Sequence, residues 1–175
     1  KYILEKCIFS NNQLTNKSTG RRISAIVPVH VFGIPSRVDR LKEICSKYNL
    51  HLIEDSAEGL GSYYNGKSLG TFGKLGVLSF NGNKIITTGG GGAILTDDEK
   101  LAKKIKHISS TSKVFHKYNF YHDQVGWNFR LPNLNASLGC AQLEKFSLIL
   151  EKKRKLAKKY KMAFKHSKNF TFVSE

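Results

Sequence analysis

A strand, a helix and a second strand follow one another in the first third of the chain, and this order constrains the fold most strongly. Residues 23–29 are apolar and β-branched, and residues 31–35 contain the Gly and Pro that end regular pairing. Ser36 and Asp39 are placed to form a capping box ahead of apolar positions that recur on one helical face. Residues 51–53 make a short second strand. This order and length are typical of a right-handed parallel crossover, so we predict an α/β fold.

The same patterns predict the remaining elements. Two further strands and two further helical segments are expected at residues 77–80, 93–96, 100–109 and 133–164. Asp97 is placed to cap the first of these helices. Residues 110–130 carry aromatic side chains without a clear period, which predicts an irregular loop of the kind that often carries function.

Net charge is the feature that could indicate a nucleic-acid partner. The chain has 29 Lys and Arg against 13 Asp and Glu, a net charge of +16, which attracts phosphate groups. Much of the excess lies at residues 100–106 and 152–168, where it alternates with apolar residues at helical spacing. This pattern is typical of a solvated helix face. We therefore expect no nucleic-acid partner.

The cysteines and the apolar runs argue against disulfide-rich, zinc-binding and membrane-spanning proteins. Three cysteines without CxxC spacing argue against a disulfide framework and a zinc site, so we expect reduced thiols, no metal and a cytoplasmic location. No stretch has the length of a transmembrane helix, and we expect no membrane contact. The chain begins with Lys1 and has its only Met at Met162, so we expect a piece of a longer protein.

Two acids lie at the end of the second strand of the crossover. In an open α/β sheet, ligands bind at the carboxyl ends of the strands, where Glu54 and Asp55 are expected. An acid there can hold a cationic ring nitrogen, because a nearby positive charge favours the ionised carboxylate. Asp55 can equally serve as a helix N-cap that accepts the amides of the following turn. These residues alone do not decide between the two roles.

Two glycine-rich segments lie on either side of a lysine. Residues 66–76 lack the strand-then-helix context and the GxGxxG order of a dinucleotide loop, so we assign their glycines to turns. Lys84 lies in a short loop between apolar strands and precedes four glycines, residues 89–92, that let a ligand approach the backbone. Desolvation at such a position frees a lysine amine for attack on an aldehyde. We therefore predict that Lys84 is a nucleophile.

Five segments taken together resemble one family. They are, in chain order, 29–33 (VHVFG), 54–58 (EDSAE), 79–84 (SFNGNK), 87–92 (TTGGGG) and 126–130 (GWNFR). In this order over most of the chain, they are similar to the DegT/DnrJ/EryC1 sugar aminotransferases, which are fold-type I pyridoxal-phosphate enzymes. The resemblance implies the α/β large domain of that fold, with a mixed, mostly parallel sheet and helices on both faces. Residues 1–132 would form this domain without its N-terminal part, and residues 133–175 a long helix leading towards a small C-terminal domain.

The resemblance also implies a role for each site residue. Lys84 looks like the lysine that forms the Schiff base with pyridoxal 5′-phosphate and moves the proton during amino transfer. Asp55 looks like the partner of the pyridine nitrogen, and Ala57 like the small residue under the ring. Ser79 resembles the hydroxyl that binds the cofactor phosphate, whereas Asn128 matches an asparagine that reaches the cofactor of the neighbouring subunit. A homodimer with shared active sites is therefore implied.

Glu58 is the point at which the chain departs from the family. Many members carry Gln or His there, near the phenolic oxygen of the ring, and two negative oxygens in contact would repel unless one holds a proton. The residues around Glu58 and Lys84 are most similar to the subgroup that aminates a 4-keto nucleotide sugar on routes to bacillosamine or legionaminic acid. The implied reaction is transamination at C4 of a UDP- or GDP-linked 4-keto-6-deoxy sugar, with glutamate as amino donor, for cell-surface glycan biosynthesis.

Three other functions are consistent with parts of the sequence. A dehydratase of the same fold would carry histidine in place of the lysine, and Lys84 argues against it. An inactive regulatory homologue would keep the fold, but the presence of both Asp55 and Lys84 argues for activity. A basic nucleic-acid-binding module would show aromatic residues interleaved with Lys and Arg on one exposed face, whereas most aromatic residues here lie in apolar runs or in the irregular loop.

Overall fold

The structure, a computed structural model, describes residues 1–173. In chain order its elements are helix α1 (Tyr2–Lys6), strands β1 (Cys7–Ser10), β2 (Gln13–Asn16), β3 (Arg22–Ile23) and β4 (Ala25–Ile26), helix α2 (Val38–Lys47), strands β5 (His51–Asp55), β6 (Tyr63–Tyr64), β7 (Lys67–Ser68), β8 (Leu75–Ser79) and β9 (Gly92–Leu95), helix α3 (Glu99–Ser109), strands β10 (Lys113–Val114) and β11 (Tyr121–His122), and helices α4 (Asn133–Glu144) and α5 (Phe146–Ala163). A 3-10 turn at Val31–Gly33 separates β4 from α2.

A mixed four-stranded sheet positions the predicted site. Its strands lie in the order β4-β5-β8-β9. β4 and β5 are parallel, with Ile26 opposite Leu52, and β5 and β8 are parallel, with Asp55 opposite Val77. β9 returns antiparallel to β8. The prediction of a mixed, mostly parallel sheet is confirmed, and the carboxyl ends of β4, β5 and β8 lie at one edge, called here the carboxyl edge.

The core includes this sheet, α2 and an N-terminal antiparallel sheet of β1, β2 and β3, which the sequence analysis did not predict. Six buried residues form one cluster: Cys7, Leu14, Val38, Cys45, Leu50 and Leu52. α2 contributes Val38 and Cys45 because its apolar residues recur on one face, which contacts β4 and β5. Full burial of a side chain such as Leu14 stabilises the fold by roughly 1.5–3 kcal/mol.

The strand predicted at residues 23–29 is divided in the structure, so this prediction was wrong in extent. Ile23 pairs with β2, the next residues form β4, and a single further bridge lies at Val29. Pro28 has no N–H to donate, so a continuous ladder does not pass through it. Val27 and Val29 are more than half exposed, not buried as expected.

The predicted capping box of α2 is wrong. Ser36 lies two residues before α2 begins at Val38, too early to be its N-cap. Asp39 instead binds the Arg37 guanidinium at 3.0 and 3.1 Å and accepts the Tyr64 hydroxyl at 2.8 Å. The Arg37 guanidinium above all holds the pKa of the Asp39 carboxyl well below its usual range.

The predicted cap of α3 is displaced by one residue. The N-cap is Asp98, whose carboxylate accepts the Leu101 N–H at 3.0 Å, and the helix begins at Glu99. Asp97, the predicted cap, precedes it. Two adjacent acids give the same sequence signal, and only the backbone geometry places one of them at the cap.

The helical stretch predicted at residues 133–164 is divided into α4 and α5. The break falls at Lys145, whose backbone angles (φ −99°, ψ 5°) depart from those of a helix. The loop predicted at residues 110–130 contains a short hairpin of β10 and β11 and is not wholly irregular. These boundaries do not test the proposed division of the chain into 1–132 and 133–175, which stays a prediction.

Within the described residues Cys7, Cys45 and Cys140 are free thiols, the first two buried and the third exposed. Burial raises the pKa of the Cys45 thiol. No helix among residues 1–173 combines the length and the apolar composition that a membrane span requires.

Candidate active site

Asp55 is the last residue of β5 and is held by backbone contacts on both sides. Its N–H donates to the Pro28 carbonyl at 2.9 Å, and its carbonyl accepts the His30 N–H at 3.0 Å. On the other side, the Ser56 N–H donates to the Val77 carbonyl of β8 at 2.9 Å. These bonds fix the strand end that presents Asp55 at the carboxyl edge.

The Asp55 carboxylate also has a local partner. Its Oδ1 accepts the Ala57 N–H at 3.1 Å and so caps a turn. The helix N-cap that the sequence left open is not formed, because the element that follows β5 is the strand β6. The Ala57 contact uses one of the two carboxylate oxygens, and an ionised carboxylate can accept several donors at once. Capping of the turn and binding of a cationic nitrogen are therefore compatible. Ala57 is itself half-buried.

Lys84 forms an ion pair with Glu58. Its loop follows β8, and its backbone N–H donates to the Asn81 carbonyl at 3.0 Å. The Lys84 Nζ lies 3.2 Å from the Glu58 Oε1, and the lysine side chain is only 17% exposed. Surface lysines usually keep the charged amine in water. The Lys84 amine is instead held against the protein.

Glu58 also binds the backbone of the 3-10 turn. Its Oε2 accepts the Phe32 N–H at 2.6 Å. Phe32 has a φ of 54°, an uncommon angle for a residue other than glycine. The Phe32 N–H, and then the Lys84 amine, lower the pKa of Glu58 from its usual value. Glu58 is therefore a carboxylate that joins the 3-10 turn to the loop at residues 80–91, called here the lysine loop.

Helix α4 supports the loop that carries the lysine and the glycine run. The Gln142 Oε1 accepts the Thr87 N–H at 3.0 Å, and the Asn135 Nδ2 donates to the Thr88 carbonyl. Gly139 lets the helix approach this loop, because a Cβ there would lie 2.9 Å from the Thr88 Cγ2. Elements from a later part of the chain therefore fix the lysine loop.

Ser79 and Asn128 are placed differently with respect to the carboxyl edge. Ser79 ends β8, and its Oγ accepts the Asn81 N–H at 3.3 Å. Asn128 forms an isolated bridge with Ser110 after α3, and no hydrogen bond within residues 1–173 joins it to Lys84. The structure thus brings five of the six predicted residues to one edge: Asp55, Ala57, Glu58, Ser79 and Lys84.

A buried acid and a buried histidine lie beside this edge, and the sequence analysis gave neither a separate role. Glu54 and His30 are fully buried, with the Glu54 Oε2 3.1 Å from the His30 Nε2. The same oxygen accepts the Gly70 N–H at 2.9 Å, and Oε1 accepts the N–H groups of Phe72 and Gly73 at 2.6 and 2.8 Å. The alternation of side chains along β5 is the signal that places Glu54 on the inward face.

The glycine-rich segment at residues 66–76 serves close packing. A Cβ on Gly76 would collide with the Gly70 carbonyl, and one on Gly73 would lie 2.5 Å from the Leu52 carbonyl. These glycines allow the turn at residues 70–73 to lie against β5 and β8, which agrees with their assignment to turns.

A cleft of about 780 Å³ lies between β8, β9 and α3. Its walls include four apolar side chains, Val77, Ile94, Ile105 and Leu131. In the described part of the chain, none of the six predicted site residues lines it. We therefore place the candidate site at the carboxyl edge and not in this cleft.

The groups at the carboxyl edge fit pyridoxal phosphate. The cofactor needs an amine for its aldehyde, an acid for its ring nitrogen and donors for its phosphate. Lys84 offers a partly buried amine, Asp55 an acid fixed at a strand end, and Ser79 a hydroxyl at the end of the next strand. The types of group and their common edge are those that the cofactor requires.

Comparison with known proteins agrees with the family resemblance of the sequence. Residues 5–175 match the model of the DegT/DnrJ/EryC1/StrS aminotransferase family. The chain is 40% identical to a GDP-perosamine synthase of Escherichia coli O157:H7, over 85% of this chain and 39% of that protein. It is 35% identical to a UDP-4-amino-4,6-dideoxy-N-acetyl-beta-L-altrosamine transaminase of Helicobacter pylori, over 89% of this chain and 42% of that protein.

A solved structure supports the same fold. Helicobacter pylori PseC, described as an aminotransferase involved in the biosynthesis of pseudoaminic acid, superposes with a TM-score of 0.80 at 34% identity. The match covers 83% of this chain and 39% of that one. The chain therefore spans about two fifths of the length of the relatives it matches.

Proposed function

The chain belongs to the DegT/DnrJ/EryC1/StrS aminotransferase family, and on that premise we propose that the protein transfers an amino group to the keto group of a nucleotide sugar, with pyridoxal phosphate as cofactor. The observation that carries the proposal is the Lys84 amine, held against Glu58 at the edge where Asp55 ends β5. An amine in this position also favours transamination over the dehydratase alternative, which would carry histidine there.

Each residue at the carboxyl edge would act on the cofactor in a defined way. When bound, pyridoxal phosphate supplies an electron sink that stabilises negative charge on a neighbouring carbon. Asp55 would hold the ring nitrogen protonated through its second carboxylate oxygen. Ala57 would leave room for the ring face, and Ser79 would donate its hydroxyl to the phosphate.

Glu58 would accept the proton that the Lys84 amine must lose. The Lys84 nitrogen must lose a proton before it can attack a carbonyl carbon. The Glu58 carboxylate, 3.2 Å from Nζ, is within reach to accept that proton. The Phe32 N–H favours the ionised form of Glu58 and therefore opposes the transfer. Lengthening of that backbone contact would make Glu58 a stronger base.

The substrate that we propose is a 4-keto-6-deoxy sugar linked to UDP or GDP, with glutamate as amino donor and cell-surface glycans as destination. The names of two relatives support this class, because both concern amino sugars and one of them names a GDP-linked and the other a UDP-linked compound. A cytoplasmic location is part of the same proposal.

A homodimer with shared sites completes the proposed function. Asn128 would reach the phosphate of the cofactor bound by the neighbouring subunit. Asn128 is exposed, and the rings beside it, Trp127 and Phe129, are stacked at 6.3 Å and are each more than half exposed. An exposed aromatic pair is typical of a protein interface, which supports contact with a second subunit.

Covalent trapping tests the role of Lys84. The full-length protein would be loaded with pyridoxal phosphate, reduced with borohydride and analysed by peptide mass spectrometry. We expect a single pyridoxyl group on Lys84. In the Lys84→Ala variant the rate of transamination should fall by roughly 10²–10⁴-fold or more, because one acid–base group alone contributes a factor in that range. The variant should still bind pyridoxamine phosphate.

The matched control is Lys74→Ala, because Lys74 is an exposed lysine in the turn before β8. This variant should keep both the adduct and the activity. A stable pyridoxyl group on any lysine other than Lys84 would refute the assignment.

A further inference from the structure

We propose that Glu54 and His30 form a positioning pair that sets the orientation of Asp55 and Glu58 towards the cofactor. The inference rests on the proposed function, since it concerns the same site. Neither residue would touch the cofactor or the substrate. Both side chains are fully buried, and both act through the segments to which they are bound.

Four N–H donors surround the Glu54 carboxylate. Oε2 receives the His30 Nε2–H and the Gly70 N–H, and Oε1 receives the N–H groups of Phe72 and Gly73, at 2.6 to 3.1 Å. Every contact of this carboxylate is with a donor, as an ionised group requires. A buried carboxylate costs several kcal/mol unless such donors offset the loss of water. The arrangement is therefore specific to a negative charge.

The hydrogen position on His30 follows from its second contact. The Ser36 backbone N–H donates to the His30 Nδ1 at 3.1 Å, so Nδ1 is the acceptor. In a neutral imidazole the other nitrogen then carries the hydrogen, and Nε2–H donates to Glu54. His30 thus joins the segment after β4 to the inner face of β5 in one orientation.

The pair connects with the site through the backbone. Successive side chains of a strand point to opposite faces, so Glu54 holds β5 from the face opposite to that of Asp55. The His30 N–H also donates to the Asp55 carbonyl at 3.0 Å. Two residues after His30, the Phe32 N–H binds Glu58, which in turn binds Lys84. Both acids at the carboxyl edge therefore depend on segments that this pair fixes.

Glu54→Gln is the sharpest single test. The substitution keeps the size of the side chain. Each oxygen of the Glu54 carboxylate accepts two N–H donors, so the NH₂ group of Gln would face two N–H donors in either orientation of the amide. In the full-length protein we expect the dissociation constant for pyridoxamine phosphate to rise about tenfold, equivalent to ~1.4 kcal/mol. The visible absorption band of bound pyridoxal phosphate should also shift, because Asp55 no longer meets the ring nitrogen in the same way.

Two substitutions of His30 separate its two hydrogen bonds. The amide nitrogen of Gln can take the place of Nε2 and still donate to Glu54, whereas the amide oxygen of Asn can take the place of Nδ1 and accept only the Ser36 N–H. We expect His30→Asn to weaken pyridoxamine phosphate binding and to shift the band more than His30→Gln does. Equal effects of the two variants would overturn the proposed role of the Nε2–H contact.

A control for general loss of stability is Leu14→Ala, which removes buried volume in β2 at a distance along the chain from the pair. This variant should lower the melting temperature but leave the dissociation constant and the absorption band as in wild type. If it produces the same changes as Glu54→Gln at a matched loss of melting temperature, the pair is merely structural and the inference is wrong. If Glu54→Gln does not fold, the comparison of the two His30 variants decides.

The outcome for the wild-type protein distinguishes the two proposals. Failure of wild type to bind pyridoxamine phosphate at all would contradict the proposed function. Normal binding by wild type, with an unchanged dissociation constant and band in Glu54→Gln, would contradict the positioning role alone.

Discussion

At the scale of single residues, Glu58 accepts hydrogen bonds from two segments that are distant in sequence, the Phe32 backbone and the Lys84 side chain. The sequence marked Glu58 as a departure from the Gln or His of related proteins, and it raised the problem of repulsion from a ring oxygen. The structure supplies a reason for an acid, because each carboxylate oxygen accepts one of these two donors. Gln has a single oxygen and can accept only one of them at that position.

The lowered pKa of Glu58 predicts how stability depends on pH. A carboxyl whose folded pKa is depressed contributes stability above its unfolded pKa, about 4.3, and this contribution is lost as the pH falls through the folded value. Glu58→Gln should therefore lower the melting temperature at neutral pH, and the difference from wild type should shrink below about pH 4.3. Thermal unfolding of the full-length protein between acid and neutral pH measures this difference.

Glu144→Gln is the control for this experiment, because Glu144 is exposed at the end of α4 and makes neither of the Glu58 contacts. The difference in melting temperature between Glu144→Gln and wild type should change less with pH than the difference between Glu58→Gln and wild type. A Glu58→Gln difference that stays constant across the titration would contradict the ionised role of Glu58.

Which site residues could be assigned from the sequence follows from their chemistry. The sequence alone placed Lys84 in a loop between apolar strands and Asp55 at the end of a strand. The role of Asp55 came only from the family resemblance, and the roles of both residues stay predictions. The role of the Glu54–His30 pair could not be predicted from the sequence, because it depends on which backbone N–H groups the fold brings to the Glu54 carboxylate. The turn at residues 70–73 supplies three of them and is remote in sequence.

At the scale of secondary structure, the hydrophobic pattern predicted the main strands and helices from β4 onwards, but not α1, the sheet of β1, β2 and β3, or the hairpins of β6 with β7 and β10 with β11. Backbone geometry decided where each element begins and ends. The strand, helix, strand order around α2 is correct, whereas the extent of the first strand and both caps were wrong. The N-terminal hairpin could have been found from Asn11 and Asn12, whose positive φ angles form its two-residue turn. The break at Lys145 has no comparable signal, because no Gly or Pro stands there.

The cap of α3 provides a prediction with a built-in control. Asp98→Ala should lower the free energy of unfolding by about 1 kcal/mol, because the Leu101 N–H loses its acceptor at the first turn. Asp97→Ala removes the same charge one residue earlier and should change it by less than about 0.5 kcal/mol. Urea denaturation of the two variants compares them directly, and equal losses would mean that charge, not capping, stabilises this helix end.

At the scale of the whole molecule, the five residues at the carboxyl edge lie in one subunit, while Asn128 lies after α3 on an exposed segment. This placement is compatible with the proposed site shared between two subunits, which stays a prediction. The sequence suggested a shared site only through the family resemblance, because no local pattern says which copy of a chain a loop contacts.

Mixing of the Asn128→Ala and Lys84→Ala variants tests the shared site. Full-length Asn128→Ala should bind pyridoxal phosphate more weakly, and Lys84→Ala should be inactive. Mixed dimers should contain one site that has both Lys84 and Asn128, so an equal mixture should recover about one quarter of wild-type activity. The control is Asn128→Ala mixed with itself. If mixed dimers form and activity does not return, Asn128 does not act on the neighbouring site.

The antiparallel return of β9 has a consequence for the order in which the site forms during folding. The β8–β9 ladder joins Ser79 to Gly92 across the lysine loop, a hairpin connection that can close within about 1–10 μs. The β5–β8 ladder joins Asp55 to Val77 through a longer connection, and pairing of that kind is slower because loop-closure entropy is lost before the contacts form. In a refolding chain, we therefore expect β8 and β9 to pair before β5 docks beside β8, and the lysine loop to reach its final position only when α4 packs against it. Cofactor binding would report only the last of these steps.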